Sequence, residues 1–407
     1  MNLPNRKKNI LITSSWYPTA DYPFGGIFVK EQVEALAACT GDNFNYIVSD
    51  WGFYDSEVSF FQPSDAFKKI IRFFRAERNT FTQKEGVFYI SNPYLNISEK
   101  IPYLGNFDRL VDVNLKNIRL AEEKLGPIDL IHAHVCYPGG YLAYRLSKIL
   151  DIPYVITEHM GPFPFDRYMV DGKPIPELET AAKHADALIP VSDALSDRMK
   201  SFGYENRYVI PNFVDEDVFQ PKKSPKPHIP FQFLTLCSLE KPKGVEDLIR
   251  GIKEWNPAEE EVNFVIAGNG VDRELFQELA VDLEVDSLIT WAGKIDRNKV
   301  PEYMNRCDAF VLPSHHESFG IVYVEANACG KPVIASRCGG PESIVNEMNG
   351  LLVPVSDPVK LAEAMIQMKN NIESYDSEKI RADFMQRFSK RTVLGKITNL
   401  YTSLIKN

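Results

Sequence analysis

The sequence of 407 residues lacks the features that mark several large classes of protein. Its six cysteines form no CxxC pair and show no zinc-knuckle spacing, so we expect reduced thiols in a reducing compartment rather than a disulfide-stapled fold. No apolar run reaches the ~18 residues that a membrane-spanning helix needs, and the apolar stretch after the first basic residues is too short for a signal-peptide core. We therefore expect a cytoplasmic protein whose contact with a membrane is at most peripheral.

The net charge and the absence of two sequence motifs argue against further classes of protein. The 46 basic and 55 acidic residues give a net charge of −9, which disfavours a protein that binds nucleic acid with its whole surface. The sequence has no GxGxxG fingerprint, so a nicotinamide dehydrogenase loses its main support. No DxD motif stands at a predicted strand end, where it could hold a divalent ion. Local groups must therefore meet any anionic ligand of this acidic chain.

What the sequence does contain is a repeated alternation of short β-branched runs with longer amphipathic stretches. This alternation is typical of the α/β class, in which helices cover both faces of parallel sheets. Four prolines punctuate residues 212–230 and predict a linker between two α/β halves. The predicted strands are 9–13, 44–49, 130–134, 154–157 and 187–191 in the first half, and 231–237, 263–267, 288–292, 309–313, 332–336 and 350–354 in the second. An apolar stripe predicts a last helix that docks on the rest of the chain; its members are Val393, Leu394, Ile397, Leu400, Tyr401 and Leu404.

Residues 313–340 carry the most informative motif. A predicted strand ends at Pro313, a polar turn follows, and a helix begins near Gly320, so Glu317 lies at the carboxyl end of a strand. Open parallel sheets bind ligands at that edge, and the N–H groups that begin the helix can meet an anion. Glu325 lies in the second turn of the helix, so both carboxylates can face one crevice and accept hydrogen bonds from sugar or ribose hydroxyls. Taken alone, Glu317 could also be a helix-cap neighbour and Glu325 a surface charge.

The wider motif resembles a known family. The two glutamates spaced as E-x7-E, the Ser318-Phe319-Gly320 turn, the GKPVIAS strand and the GGPE turn together resemble the donor-sugar signature of the retaining GT-B glycosyltransferases, family 4 in particular. The resemblance is strongest over residues 231–358. It implies that Glu325 holds the ribose of a nucleotide sugar and that Glu317 contacts the transferred sugar. It also implies that sugar and phosphate lie against the backbone of Phe319, Gly320 and Ile321.

Further donor-side residues follow from the same resemblance. Lys243, in the Lys243-Gly244 pair before a helix, is expected to bind the donor diphosphate. Cys237 and Ser238 stand where the family has a glycine and an arginine, so one positive partner of the leaving group is missing or is supplied elsewhere, with Lys241 and Arg337 as candidates. The remaining expected donor contacts are the glycine turn with Gly268 and Gly270 beside the nucleotide, and the backbone of Lys294 and Ile295 at the base.

The first half offers candidates for phosphate and acceptor contacts. Gly25 and Gly26 follow the first predicted strand, where glycine lets the backbone approach a phosphate, although turn glycines without a ligand are as common. His132 and His134 alternate on one strand, so they and Cys136 are expected to point the same way, which leaves open a metal site, buried core histidines or a ligand contact. The resemblance assigns His134 to the transferred sugar or its acceptor, with His132 as its neighbour. His159 ends another strand on the same edge and is an acceptor candidate.

Residues 67–84 form a strongly basic segment in which six bases accompany one acid. Aromatic and aliphatic residues are interleaved with the bases. We interpret the segment as a helix that can dock on an anionic membrane surface, where a lipid-linked acceptor would be found. An ordinary helix with solvated charges explains the pattern as well.

Together these observations predict two Rossmann-like domains that face each other across a cleft, at residues 1–212 and 213–385, and a helix at 386–407 that crosses back to the first domain. The expected enzyme is a metal-independent retaining hexosyltransferase without a cofactor, which moves a sugar from a nucleotide-diphosphate sugar to a hydroxyl acceptor. A role in cell-surface polysaccharide, lipopolysaccharide or glycolipid assembly is expected. The alternatives are a nucleotide-sugar epimerase, a phosphorylase and a GT-B scaffold that has lost catalysis and binds a partner.

Overall fold

The computed structural model describes residues 6–19, 22, 25–53, 63–96, 107–222 and 228–405. The chain divides into two compact units. Unit 1 comprises Met1–Pro190, Met199–Ile210 and Leu394–Asn407, and unit 2 comprises Val191–Arg198 and Pro211–Val393. In the described part of the chain, no helix is both long enough and apolar enough to cross a membrane.

Unit 1 is built on a seven-stranded sheet in the order β3-β4-β2-β1-β5-β6-β9. Its strands are β1 (Lys8–Ser14), β2 (Phe44–Asp50), β3 (Thr80–Lys84), β4 (Val87–Ser91), β5 (Leu130–His134), β6 (Tyr154–Glu158) and β9 (Ala187–Pro190). All neighbours pair in parallel except β3 with β4, and a separate hairpin joins β7 (Met169–Val170) to β8 (Lys173–Pro174). The helices are α1 (Ile27–Thr40), α2 (Pro63–Arg75), α3 (Phe107–Leu125), α4 (Tyr141–Leu150), α5 (Pro176–Lys183) and α6 (Asp193–Ser201), whose first residues belong to unit 2. The central strands are buried on both faces, as a sheet between two helical layers requires.

Unit 2 contains a six-stranded parallel sheet in the order β12-β11-β10-β13-β14-β15. Its strands are β10 (Phe231–Leu236), β11 (Val262–Ala267), β12 (Ile289–Gly293), β13 (Ala309–Leu312), β14 (Val333–Ser336) and β15 (Gly350–Val353). Its helices are α7 (Val245–Trp255), α8 (Arg273–Asp282), α9 (Val300–Arg306), α10 (Ile321–Ala328), α11 (Pro358–Asn370) and α12 (Ser377–Arg387). Phe233 and Phe264 stack at 5.3 Å between ring centroids in the core of this unit. The α/β class with parallel sheets in two domains is thereby confirmed.

The last helix, α13 (Lys390–Leu404), begins in unit 2 and continues as part of unit 1 from Leu394 onward. Five members of the predicted apolar stripe are buried, and Leu404 is half-buried. The Tyr401 hydroxyl lies 2.5 Å from Nδ1 of His132 on β5. The helix therefore docks through its apolar stripe, as the sequence pattern predicts.

The prediction of one helix through the basic segment 67–84 is wrong. Helix α2 ends at Arg75, and Thr80–Lys84 forms edge strand β3, which pairs with β4. Two residues with positive φ, Glu85 at 51° and Gly86 at 80°, close this hairpin in the turn type that matches the twist of its strands. The alternation of threonines with Phe81 indicates the strand. The bases of the segment consequently lie on different elements.

Candidate functional site

The predicted donor motif lies at the carboxyl edge of the sheet in unit 2. Strand β13 ends at Leu312, and the turn that follows carries Glu317 to the start of α10. The peptide N–H of Gly340, in the turn after β14, donates to the carbonyl of Glu317 at 2.8 Å. This bond joins the turns after two neighbouring strands and fixes the backbone position of Glu317. Phe319 is buried, with its ring 5.9 Å from that of Phe388, so its side chain belongs to the core.

Lys243 and Glu317 meet at this edge although 74 residues separate them. Lys243 Nζ donates to Glu317 Oε1 at 2.7 Å, and the hydroxyl of Ser314 donates to the same oxygen at 3.1 Å. The lysine side chain is 29% exposed and the glutamate side chain 13%. Burial opposes the charge on Lys243, but the Glu317 carboxylate outweighs it and raises the pKa of Lys243, which keeps the ammonium charged at neutral pH. A cation and a carboxylate expected to contact one donor are thus adjacent.

Glu325 has a different partner. Its side chain is fully buried in α10, which excludes the alternative of a surface charge, and its Oε1 accepts a hydrogen bond from the guanidinium of Arg297. The side chain of Arg297 is 41% exposed, and its guanidinium lies 5.6 Å from the ring centroid of Phe219. Each glutamate of the E-x7-E motif therefore pairs with its own cation. A ribose at Glu325 must share this carboxylate with Arg297, a residue that sequence reasoning missed although it follows Ile295 by two positions.

The glycine turn after β11 packs closely on the segment where the arginine of the family is missing. Gly268 has a φ of +142°, and a Cβ atom there would lie 1.9 Å from the carbonyl oxygen of Cys237. A Cβ on Gly270 would lie 2.2 Å from the carbonyl oxygen of Leu239. Any side chain larger than hydrogen would push the two loops apart, so both glycines are required by this contact.

The other donor-side candidates lie on loops at the same edge. Lys294 is exposed and Ile295 half-buried directly after β12, and Ile321 begins α10 behind Gly320, whose φ is +94°. Lys241 and Arg337, the candidate substitutes for the missing arginine, are both exposed, after β10 and β14 respectively. Since the carboxyl ends of parallel strands share one edge, both can reach a ligand there.

In unit 1 the predicted phosphate turn lies between β1 and α1. Gly26 has a φ of +69°, and a Cβ there would lie 2.3 Å from the carbonyl oxygen of Trp16, so this position requires glycine for packing as well as for its backbone conformation. The peptide N–H of Gly25 donates to the carbonyl of Tyr22 at 3.1 Å. The turn leads directly into the first residues of α1.

Three buried histidines lie on β5 and just after β6. His132 has both ring nitrogens engaged, with Tyr401 at 2.5 Å and the Thr157 hydroxyl at 2.7 Å. His134 stacks on His132 at 4.4 Å, and its Nδ1 lies 3.2 Å from Nε2 of His159. Within the described ranges, neither Nε2 of His134 nor Nδ1 of His159 has a hydrogen-bond partner. Burial lowers the pKa of His132 and of His159 to about 3 and that of His134 well below its usual value, so all three are neutral at pH 7.

These contacts separate the roles that the sequence left open for the pair. His132 is a core histidine held by two hydroxyls, whereas Nε2 of the equally buried His134 has no hydrogen-bond partner among the described residues. The expectation that Cys136 shares their face is wrong in its premise, because β5 ends at His134 and Val135 takes a φ of 71°. In the described part of the chain, no group of three or more His, Cys, Asp or Glu side chains is arranged to hold a metal ion.

Glu158, which sequence reasoning did not single out, lies fully buried at the end of β6. Its carboxylate accepts hydrogen bonds from the peptide N–H groups of Cys136 at 2.8 Å, and of His159 and Met160 at 2.7 Å each. Burial raises the pKa of Glu158, and these three bonds act in the opposite direction. The carboxylate fixes both loops that carry the histidine cluster, so it is a positioning residue of this edge. The position of Glu158, directly before the strand-end residue His159, was the sequence signal that could have identified it.

Comparisons with known proteins follow the same division of the chain. The family model "Glycosyl transferases group 1" matches residues 217–383, and the model "Glycosyltransferase Family 4" matches residues 76–218. The chain belongs to the GT-B glycosyltransferases of group 1. This confirms the family inferred from the E-x7-E motif.

Among similar sequences is an uncharacterized glycosyltransferase of Methanocaldococcus jannaschii, 27% identical over 78% of this chain and 88% of its own length. Another is an N-acetyl-alpha-D-glucosaminyl L-malate synthase of Bacillus anthracis, 25% identical over 69% of this chain and 76% of its own. Among solved structures, Anabaena HepE in complex with UDP superposes with a TM-score of 0.71 at 20% identity, covering 98% of this chain and 100% of HepE. At that identity the superposition shows the fold.

Proposed function

We propose that this glycosyltransferase moves a sugar from a nucleotide-diphosphate sugar to a hydroxyl acceptor, with retention at the anomeric carbon and without a metal ion. The observation that carries the proposal is the Lys243–Glu317 pair at the carboxyl edge of the unit 2 sheet, directly before α10. HepE, which shares the fold, has been solved with UDP and with UDP-glucose, which supports a nucleotide sugar as the donor class.

The departing diphosphate poses the main electrostatic problem of this reaction, because it gains negative charge as the glycosidic bond breaks. Lys243 supplies a charged ammonium at neutral pH, and the first peptide N–H groups of α10, from Ile321, supply fixed dipoles. Glu317 positions the ammonium and accepts hydrogen bonds from sugar hydroxyls. Because the glutamate is paired with a cation, the structure gives no special support to its action as a nucleophile.

On the acceptor side, His134 is the candidate for contact with a sugar or acceptor hydroxyl, because its buried Nε2 has no hydrogen-bond partner among the described residues. Its low pKa makes it a neutral imidazole, which can accept or donate one hydrogen bond but carries no charge. Gly25 and Gly26 remain candidates for phosphate contact through peptide N–H groups. Two relatives are named for L-malate and for D-inositol 3-phosphate, which are small hydroxyl compounds with negative charge.

A screen of UDP-, GDP- and ADP-sugars by thermal shift, followed by transfer and donor-hydrolysis assays, tests the proposal. We expect one donor to raise the melting temperature and to be hydrolysed slowly without acceptor. Release of free nucleotide with an epimerised sugar would instead identify an epimerase. Binding without turnover on any acceptor would favour a scaffold, the alternative suggested by Ser238 in place of the arginine of the family.

We further propose that the enzyme works at an anionic membrane surface in cell-surface polysaccharide or glycolipid assembly. On α2, Phe67 is 65% exposed and Phe74 is 73% exposed, and the neighbouring Lys68 and Arg75 are exposed as well. Positions seven apart lie on one side of a helix, so each pair forms a stripe that suits headgroups and acyl chains. A provisionally named teichuronic acid biosynthesis glycosyltransferase of Bacillus subtilis, TuaC, is 24% identical over 89% of each chain, which supports this pathway class.

Co-sedimentation with vesicles of phosphatidylglycerol and phosphatidylcholine tests the membrane proposal. We expect Phe67→Ser with Phe74→Ser to reduce the bound fraction several-fold, because each buried aromatic side chain contributes apolar area. Ile149→Ser, at an exposed apolar residue on α4 of the same unit, is the matched surface control. Equal sedimentation of the wild type and the phenylalanine variant would contradict the proposal.

A further inference from the structure

Unit 1 contains a second concave site, which the donor and histidine residues do not use. A cavity of about 360 Å³ opens at the carboxyl ends of β2 and β4. Its volume falls within the ~300–1,000 Å³ of small-molecule sites. Of the residues that the structure describes, six supply polar groups to its wall: Thr19, Asp50, Lys69, Arg72, Ser91 and Tyr94.

Helix α2 turns two of its cations into this cavity. Lys69, Arg72, Phe73 and Ala76 all line it, and their spacing of three, one and three residues places them on one face of the helix. Lys69 is only 6% exposed, whereas Lys68 beside it and Arg75 are exposed. A lysine buried to this extent has polar or aromatic neighbours, because removing an ammonium from water is costly, and Lys69 Nζ lies 5.9 Å from the ring centroid of Tyr22. The four bases of the segment that lie on α2 therefore divide into two inward-facing and two outward-facing residues.

The charges in the wall favour an anion. Among the described lining residues, two cations accompany one carboxylate, Asp50, whose Oδ1 accepts the peptide N–H of Gly52 at 2.9 Å. The guanidinium of Arg72 offers a planar pair of donors that matches phosphate oxygens, and Lys69 supplies a point charge with three donors. Hydroxyls of Thr19, Ser91 and Tyr94 add neutral donors. A wall in which cations and hydroxyls outnumber carboxylates is unusual in a chain with a net charge of −9.

We propose that this cavity binds the phosphate group of a phosphorylated acceptor, a statement that rests on the proposed transferase function and names the acceptor class. Strand β1 separates β2, beside the cavity, from β5, which carries His134. Two strand spacings amount to roughly 10 Å, so a phosphate held by Lys69 and Arg72 leaves the rest of the acceptor to extend toward His134 along the sheet edge. The phosphate can belong to a soluble sugar phosphate or to a lipid headgroup.

Titration calorimetry on the full chain tests this site with defined probes. Glycerol 3-phosphate represents the soluble source, dihexanoyl phosphatidic acid below its micelle concentration represents the lipid source, and glycerol is the uncharged control. We expect the two phosphates to bind and glycerol not to bind. Tighter binding of the lipid would assign the headgroup source, and equal binding would assign the soluble source. If neither phosphate binds better than glycerol, the proposal is overturned.

Paired variants locate the binding. Lys69→Gln with Arg72→Gln should weaken phosphate affinity at least tenfold, because two charge-assisted contacts are lost. Arg72→Lys, which keeps the charge and loses the fork, should weaken it by less. Lys116→Gln with Arg119→Gln removes the same charge, at the same spacing, from exposed positions on α3 and should change phosphate affinity by less than twofold. Equal weakening by the α2 pair and the α3 pair would overturn the cavity assignment in favour of a general charge effect.

Donor binding is measured separately, so that failure of the phosphate site can be told from failure of the transferase proposal. Binding of the donor nucleotide sugar, which uses unit 2, should be unchanged in the Lys69 and Arg72 variants, and their melting temperature shows that they are folded. Absence of donor binding in every protein, wild type included, would refute the transferase proposal and leave the phosphate data standing. Intact donor binding with unchanged phosphate affinity in the double variant would refute the cavity alone.

Discussion

Replacing Lys243 by alanine is the sharpest test of the donor site. The substitution removes an ammonium that lies 2.7 Å from Glu317 at the sheet edge where the diphosphate is expected. Loss of one preorganised donor to a developing anion typically costs ~3 kcal/mol in transition-state stabilisation, or about a hundredfold in rate. We expect at least this loss, because Glu317 then loses its counter-ion and repels the departing phosphate.

A double variant separates the loss of the Lys243 cation from the repulsion by the unpaired Glu317 carboxylate. In Lys243→Ala, Glu317 keeps the hydroxyl of Ser314 at 3.1 Å but no longer has the ammonium. Adding Glu317→Gln should therefore recover part of the binding of the nucleotide diphosphate, although not the rate. Such non-additivity of ~1–3 kcal/mol is expected for residues in direct contact.

The rate effect is measured by steady-state transfer kinetics on the true donor. The affinity for the nucleotide diphosphate is measured by calorimetry. Lys253→Ala is a suitable control, since this half-buried lysine lies on α7 of the same unit and pairs with Glu284 at 3.5 Å. We expect the control to retain its turnover within a factor of two. An unchanged kcat/KM in Lys243→Ala, with wild-type diphosphate affinity, would refute the reasoning.

Three further perturbations test other parts of the structure. Arg297→Met should lower the free energy of unfolding by ~1–3 kcal/mol in urea titrations, because Glu325 stays buried without this cation, and adding Glu325→Gln should restore part of it. Phe233→Ala should cost ~3–5 kcal/mol by the same measurement, because the ring is fully buried against Phe264. Acidification below pH ~6.5 should destabilise the protein, because the buried histidines stay neutral in the folded state, and His134→Gln should make this loss of stability shallower.

The sign of the pH effect follows from the burial of the histidines. Their folded pKa values are depressed, to about 3 for His132 and His159, while the unfolded values are ~6.5. Between these limits the unfolded chain binds more protons, so stability falls as pH falls. The raised pKa of Glu158 acts in the opposite direction below its own titration point. Identical urea profiles of the wild type and His134→Gln from pH 7 to 4 would contradict the assignment.

The strands and the family were accessible from the sequence because both are written in local pattern. Residues 130–134 and 309–313 read as strands from their β-branched or apolar runs, and the structure places β5 and β13 there within one residue. The E-x7-E motif with its glycine turns identified the family, since each part of it lies within one strand-turn-helix unit. Edge strand β3 was missed because its charged neighbours made the whole segment look like one amphipathic helix.

Only the tertiary structure decided which side chains meet. Lys243 pairs with Glu317 across 74 residues, Arg297 with Glu325 across 28, and His132 with Tyr401 across 269. The sequence alone determined the order of strands and helices, because burial imposes a periodicity that neighbouring residues reveal. It could not show that Lys69 points inward and Lys68 outward, because that choice depends on which elements pack around α2, and packing is a property of the whole fold.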